Sequence, residues 1–487
     1  MQLNLYQRVA TSERLSLLLV ILLGGLIALA LAALVTFTSP AIAAAAVIAL
    51  VAGLVVLSNI EFGLYALIGI VVLLPFASIP INLGFNPTLL DLALLAVFVM
   101  WLARALTRQD ENSLVFSALG LPLLIFTTLA IFSFVYGMSH AGLQIQIVRH
   151  FAEVLLALAL YFLVINVVRT RQRLERVILA LILAGGVSAL LGILFYILPH
   201  DLTIRLLSLL RVFKYPAGAA VLRFVNDDPQ GTLRAVSTSI DPNVLGGLMI
   251  LVSALTAPQL FAERPLLKRP LMIGLFAAMV LCLFLTQSRG ALLGLCAALL
   301  VLAFVKYRRV IPLLLLGAII LYVAPFTQNY VQYLIDAFLA ADRSTQMRLG
   351  EYKDALTLIS RYPIFGVGFL GTPDIDTYLG VSSVYLLMAE EMGIVGVAAF
   401  LLAMGTYFWQ AASHWFGGLM RDPFYAPIVL GVSAALVGSM TAGLFDHYFF
   451  NLDFPHSVTL FWLYVGLGMA AIELYREART NSAQPVK

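Results

Sequence analysis

Three arginines stand at the edges of apolar runs where they could do chemistry: Arg234 in RAVSTSIDPNVLGG, Arg289 in TQSRGALLG and Arg348 at the head of MRLGEYKDAL. A guanidinium is a planar fork of donors matched to phosphate oxygens, stays charged at any accessible pH and tolerates partial burial better than lysine. As a set, the three predict a site for a diphosphate at a membrane surface. Singly, each also reads as a side chain that snorkels to headgroups or pairs with a carboxylate such as Asp241 or Glu351. Asn243 belongs to the helix-starting sequence Asp241, Pro242, Asn243 beside Arg234, and Tyr352 follows Arg348 by one turn, so both are secondary candidates. Arg149 is a weaker one, because Glu153 lies one turn along and is expected to pair with it.

Proton-transfer candidates lie in DHYFFNLDFPH, which holds Asp446, His447, Asp453 and His456. A histidine beside an aspartate can take or give a proton near neutral pH, and the competing reading is a pair of solvated loop histidines near headgroups. Glu390 and Glu391 sit further along, inside an apolar run, where carboxylates are costly and often functional. At 1.5 Å per residue Glu391 would lie about 13 Å below Ser382, and a structural pairing is expected for it.

The elements that must position these residues are membrane helices. Of 487 residues 62% are apolar and 11% charged, and the mean hydropathy is +1.00, far outside the range of a soluble domain. Apolar runs fall near 15 to 37, 41 to 58, 62 to 78, 88 to 106, 118 to 137, 146 to 167 and 176 to 198. A second set falls near 243 to 262, 270 to 287, 290 to 306, 311 to 326, 383 to 410, 425 to 445 and 457 to 475. At about 20 residues per span this predicts an all-α polytopic bundle of about fourteen transmembrane helices, within a range of about 12 to 14. Barrel strands would alternate apolar and polar residues, and these runs do not. The first run is longer than a signal-peptide core and is expected to be a retained helix. Cys282 and Cys296 both lie inside apolar runs, which argues against a disulfide framework or a thiolate metal site.

Basic residues resist translocation, so their loops orient the chain. With the N-terminus inside, Arg104 and Arg108, then Arg169, Arg171, Arg173 and Arg176, then Arg264, Lys268 and Arg269, then Lys306, Arg308 and Arg309, and finally Arg476 and Arg479 all fall on the cytoplasmic side. The expected organisation is N-terminal helices over 1–198, an outer loop over 199–242, central helices over 243–326, a large outer loop over 327–382, and C-terminal helices with a cytoplasmic tail over 383–487. Within the second loop, YVQYLIDAFLAA and MRLGEYKDALTLI repeat apolar residues at helical spacing and predict amphipathic surface helices. The Gly- and Pro-rich RYPIFGVGFLGTPD ends the last of them. Localisation follows as the cytoplasmic (inner) membrane, multi-pass, with both termini cytoplasmic and the arginines facing outward.

Over about 230 to 470 the chain resembles the O-antigen ligase and O-antigen polymerase superfamily of lipid-linked glycan transferases. Four elements carry the likeness in order: Arg234 before Asp241 to Asn243; SRG at Ser288 to Gly290; Arg348 and Tyr352 leading to YPIFGVGFLG at Pro363 to Gly371; and the helix YLLMAEEMGIVG. The resemblance implies a GT-C-like bundle that takes a glycan from an undecaprenyl-diphosphate-linked donor on the outer leaflet and attaches it to a glycan or lipid acceptor. It implies no cofactor, no metal and no nucleic acid, with membrane lipids around the protein and room for other polysaccharide-assembly proteins. Arg234, Arg289 and Arg348 would bind the diphosphate and stabilise the charge that grows as the glycosidic bond breaks.

The chain departs from the family in one place. Family members carry a histidine, taken as the base for the acceptor hydroxyl, nine residues and a small polar residue ahead of Gly-x-x-Gly; here Gly393 and Gly396 keep the spacing while Ser382 and Ser383 occupy the other positions. Serine is a poor base. Another group, with His447 and Asp446 foremost, supplies the role, or the acceptor differs, or transfer has been lost. Two further readings stay open: a lipid-linked oligosaccharide flippase, which would place charge at the midplane and show related halves, and a non-catalytic descendant that binds lipid-linked glycan.

Overall fold

The structure is a computed structural model that describes residues 53, 59–79, 85–107, 114–339, 342–372, 374 and 380–483. The first two expected spans, 15 to 37 and 41 to 58, lie outside the described residues apart from Gly53. The chain divides into two units, Met1–Gly63 and Leu64–Lys487, and the packing and site described here belong to the second.

The described residues are mostly helical: α1 (Ile60–Leu73), α2 (Leu89–Thr107), α3 (Gly120–Gly137), α4 (Ile145–Val167), α5 (Arg171–Ile197), α6 (His200–Ser208), α7 (Pro242–Phe261), α8 (Arg269–Leu285), α9 (Arg289–Val305), α10 (Val310–Val323), α11 (Gln328–Phe338), α12 (Arg343–Arg361), α13 (Val384–Phe416), α14 (Tyr425–Ala442) and α15 (Pro455–Ala483). The strands among them are β1 (Arg223–Phe224) and β2 (Leu233–Arg234), antiparallel with Arg223 opposite Arg234. Seven helices, α3, α4, α5, α7, α13, α14 and α15, are long and apolar enough to cross a membrane. α1, α8, α9 and most of α10 are apolar but shorter, so fewer helices than the expected fourteen meet that length among the described residues. α8 and α9 stop at 17 residues each because the chain turns between them, with Gln287 left-handed at φ 55° and the Ser288 hydroxyl accepting from Ala291 N–H to start α9.

α7 is buried along nearly its whole length and is apolar all round, as a central helix must be. α8, α9 and α14 pack on it, α4 pairs with α15, and α3 pairs with α13. On the rim, α3 bares Leu121, Leu124 and Phe132, and α10 bares Leu313, Leu315 and Ile319. Apolar side chains exposed in such number have lipid as their natural solvent. Helices α11 and α12 occupy the two stretches patterned for amphipathic helices.

The bundle has two chemically distinct ends. At one, Arg171 lies 4.1 Å over the Phe424 ring, Lys306 donates to Met420 O at 2.6 Å, and Phe261 stacks on Tyr307. The other end, where α8 and α14 finish and α7, α9, α13 and α15 begin, carries the hairpin of β1 and β2 and the helix α12. All three candidate diphosphate arginines lie there.

α13 is broken at Gly393, whose φ 68° and ψ −175° interrupt the helix. A break at this depth leaves carbonyls and amides that lipid cannot satisfy. The stretch after α12 satisfies them: Val367 N–H donates to Glu390 O at 2.7 Å, Gly368 N–H to Glu391 O at 2.9 Å, and Ile394 N–H to Pro363 O at 2.9 Å. The Ser133 hydroxyl of α3 donates to Glu391 O as well. A Cβ on Gly393 would stand 2.0 Å from Ile364 O, and one on Gly368 2.7 Å from Gly137 Cα, so the positive φ of both positions and their close approaches require glycine.

Candidate functional site

Arg234 is delivered by the hairpin. Gly231 N–H bonds Asp228 O to close its turn, and Ala235 N–H bonds Leu285 O to dock β2 on the end of α8. The Arg234 Nε donates to Thr286 O at 2.8 Å and its Nη2 to Asn243 Oδ1 at 2.7 Å. Asn243, expected as a ligand-binding candidate, thus orients an arginine. Asp241 does not pair with Arg234; its carboxylate caps α7 through Asn243 N–H and Val244 N–H. Burial pulls the Arg234 pKa down from its usual value, opposed by Tyr333, Asp241 and Asp446, while Arg348 pulls it down further.

Arg289, at the first position of α9, is neutralised. Its Nη1 and Nη2 bond the two oxygens of Asp342 at 3.0 and 3.1 Å, and the guanidinium lies 4.3 Å over the Tyr333 ring of α11. Asp342 caps α12 through Thr345 N–H, so one carboxylate ties α9 to the start of α12. Burial alone would raise the Asp342 carboxyl, but the bonds from Arg289 and Thr345 and the guanidinium charge bring it down to about 2.

Arg348 is half-buried and, among the described residues, has no hydrogen-bond or ion-pair partner. Its charge is felt by Arg234, Asp446, Tyr352 and Tyr448, which places it in the middle of the group. Glu351, one turn along, does not pair with it. The Glu351 Oε2 instead accepts Ser382 N–H at 3.0 Å and the Ser382 hydroxyl at 2.7 Å. The Tyr352 hydroxyl lies 3.2 Å from Ser382 O and 3.3 Å from Leu444 O, tying α12 to the start of α13 and the end of α14. Burial raises the phenol above its usual pKa despite Arg348.

The segment between α14 and α15 closes the site. Val384 N–H bonds Gly443 O and Asp446 O, which brings Asp446 to the head of α13. Asp446 is buried, and burial pushes its carboxyl above the ordinary carboxylate range while His447 and Arg348 pull the other way. The buried Tyr448 hydroxyl has no hydrogen-bond partner among the described residues. His447 turns elsewhere: its Nδ1 meets Asn451 Nδ2 at 3.1 Å and its ring lies against Phe454, with no hydrogen bond to Ser382, Glu351 or an arginine among the described residues.

Several expectations need correction. Arg149 pairs with Asp91 of α2 at 3.5 Å rather than with Glu153, which accepts from Thr88 at 3.2 Å, because the first turn of α2 lies against this face of α4. His456 is not solvated; it is 3% exposed, its ring 4.7 Å from that of Phe76, with both nitrogens unpartnered among the described residues. Glu391 has no ion-pair partner among the described residues, and its Oε2 accepts no hydrogen bond there. Asp342 was missed as a site carboxylate, and Glu351 was expected only as a counter-ion for an arginine. The signal for Glu351 was its spacing, three residues after Arg348 and therefore on the same helix face.

Residues 274–401 match a family model described as O-antigen ligase. That span contains Arg289, Arg348, Glu351, Ser382 and the Gly393 break, while Arg234 and Asp446 lie outside it. The likeness to the O-antigen ligase and polymerase superfamily holds over that span. A search of curated proteins returned no match.

Proposed function

We propose that this chain is a glycan transferase of the ligase or polymerase type, moving glycan from an undecaprenyl-diphosphate-linked donor to a glycan or lipid acceptor at the outer leaflet. The observation that carries the reading is Arg348, a half-buried guanidinium with no described partner, set beside Arg234, which among the described residues has no acidic partner within ion-pair distance. Two guanidiniums without a direct ion-pair partner among the described residues, at one end of a membrane bundle, favour an anion. A diphosphate supplies it, and the same charges stabilise the leaving group as the bond to the sugar lengthens. Arg289, already neutralised, holds α12 in place and contributes less to binding. Asp446 and His447 flank the acceptor side.

The orientation that goes with this reading has the segments 199–242 and 327–382 outside, both termini cytoplasmic, and the basic loops at the opposite end facing the cytoplasm of an inner membrane. About fourteen crossings and a GT-C-like arrangement complete it.

Purified protein in nanodiscs, given an undecaprenyl-diphosphate glycan and an acceptor with a chelator present, is expected to release free undecaprenyl diphosphate. Transfer that survives Arg234→Ala and Arg348→Ala together would refute the site. A flippase has one observation in its favour, the carboxylates of Glu390 and Glu391 buried beside a broken helix. Movement of labelled lipid-linked glycan across liposomes with its mass unchanged would establish that reading instead.

A further inference from the structure

The position that holds a histidine in the resembled family is Ser382, and here a carboxylate is bound to it. Glu351 receives both the amide and the hydroxyl of Ser382 on a single oxygen, Oε2, at 3.0 and 2.7 Å. No hydrogen bond from a described residue reaches its other oxygen, Oε1, and the side chain is only half-buried. A carboxylate clamped through one oxygen is fixed in direction while the second stays available. Arg348, Glu351 and Tyr352 recur at helical spacing and line one face of α12, so the free oxygen shares a face with the unpaired guanidinium. Tyr352 on its own helix and Glu390 on α13 feel the charge of Glu351; Arg348 and Asp446 act on the same Tyr352, Asp354 acts on the same Glu390, and Lys353 lies two residues along α12.

Resting on the proposed transferase reading, we infer that Glu351 is the general base for the acceptor hydroxyl and that Ser382 is its positioning residue. The acceptor O–H gives its proton to Glu351 Oε1 as the acceptor oxygen bonds to the anomeric carbon. The bond from that carbon to the diphosphate oxygen breaks, its electron pair stays on the diphosphate, and Arg348 with Arg234 takes up the charge. Water then carries the proton away from Glu351. The small serine side chain leaves room for the carboxylate to reach this place, and a histidine there would fill it.

The test uses the full chain in nanodiscs with an undecaprenyl-diphosphate glycan and a glycan acceptor. Glu351→Gln keeps an oxygen to accept from Ser382, so the fold stays intact while kcat falls about 10²-fold or more with donor KM unchanged. Ser382→Ala removes only the clamp and is expected to lower kcat several-fold. Combining Ser382→His with Glu351→Ala, which vacates the place, returns an imidazole and restores transfer, now with an acid limb set by the new imidazole. Wild-type turnover with Glu351→Gln at full rate overturns the inference and leaves the transferase reading standing. Equal losses in Glu351→Gln and Ser382→Ala, without rescue, make the carboxylate a strut and overturn it too. A wild-type chain that transfers nothing overturns both.

Discussion

The arginine corner joins α12 to the head of α13 and the Gly393 seam joins the stretch after α12 to the break within α13, and they treat polar groups in opposite ways. At the seam the protein supplies partners for freed backbone groups: Val367 and Gly368 donate to the carbonyls of Glu390 and Glu391, and Pro363 O receives Ile394. At the corner, among the described residues, Arg348 has no partner and Glu351 keeps one oxygen open. A low-dielectric surround makes an unsatisfied group expensive, so a seam built for assembly supplies partners. A site built for a ligand leaves some to be satisfied by it. The seam also fixes how α12 meets α13, and so holds Glu351 within reach of Ser382.

The largest expected effect would break the seam. Gly393→Val forces a side chain against Ile364 O at a φ valine disfavours, and no monodisperse folded protein should elute in gel filtration after extraction. A seam that tolerates valine is not the hinge on which the corner depends. Next, Arg348→Ala removes no structural bond, so the melting temperature should hold while diphosphate release falls about 10²- to 10³-fold. A matching drop in melting temperature would move Arg348 from ligand to scaffold.

Arg289 should behave in the reverse sense. Asp342→Asn strips the counter-charge from a buried guanidinium and is expected to lower stability by about 3 kcal/mol, read by thermal unfolding. The Asp342 carboxyl is depressed in the folded state, so its contribution is full above the ordinary carboxylate value of 3.8 and is lost as pH falls toward about 2. Melting temperature should therefore drop between those pH values in the wild type and less in Asp342→Asn. The smallest effect is Tyr352→Phe, which removes the hydroxyl near Ser382 O and Leu444 O, worth about 1 kcal/mol, with a few-fold loss of transfer. A larger loss would put the phenol on the substrate.

By itself the sequence determined that the chain is a ladder of apolar helices, that amphipathic helices precede α13, and that arginines of three distant stretches were worth watching. Those features are written in periodicity, length and residue type, which local chemistry sets. It could not say which arginine was spent: Asp342, 53 positions from Arg289, became its partner only when α9 and α12 were brought together. Nor could it show Glu351 turning from Arg348 to Ser382, 31 positions away, or His447 turning to Asn451. Pairing of charges is a matter of distance and burial, both products of packing. Only the tertiary structure decided which polar groups were satisfied by the protein and which were left for a ligand.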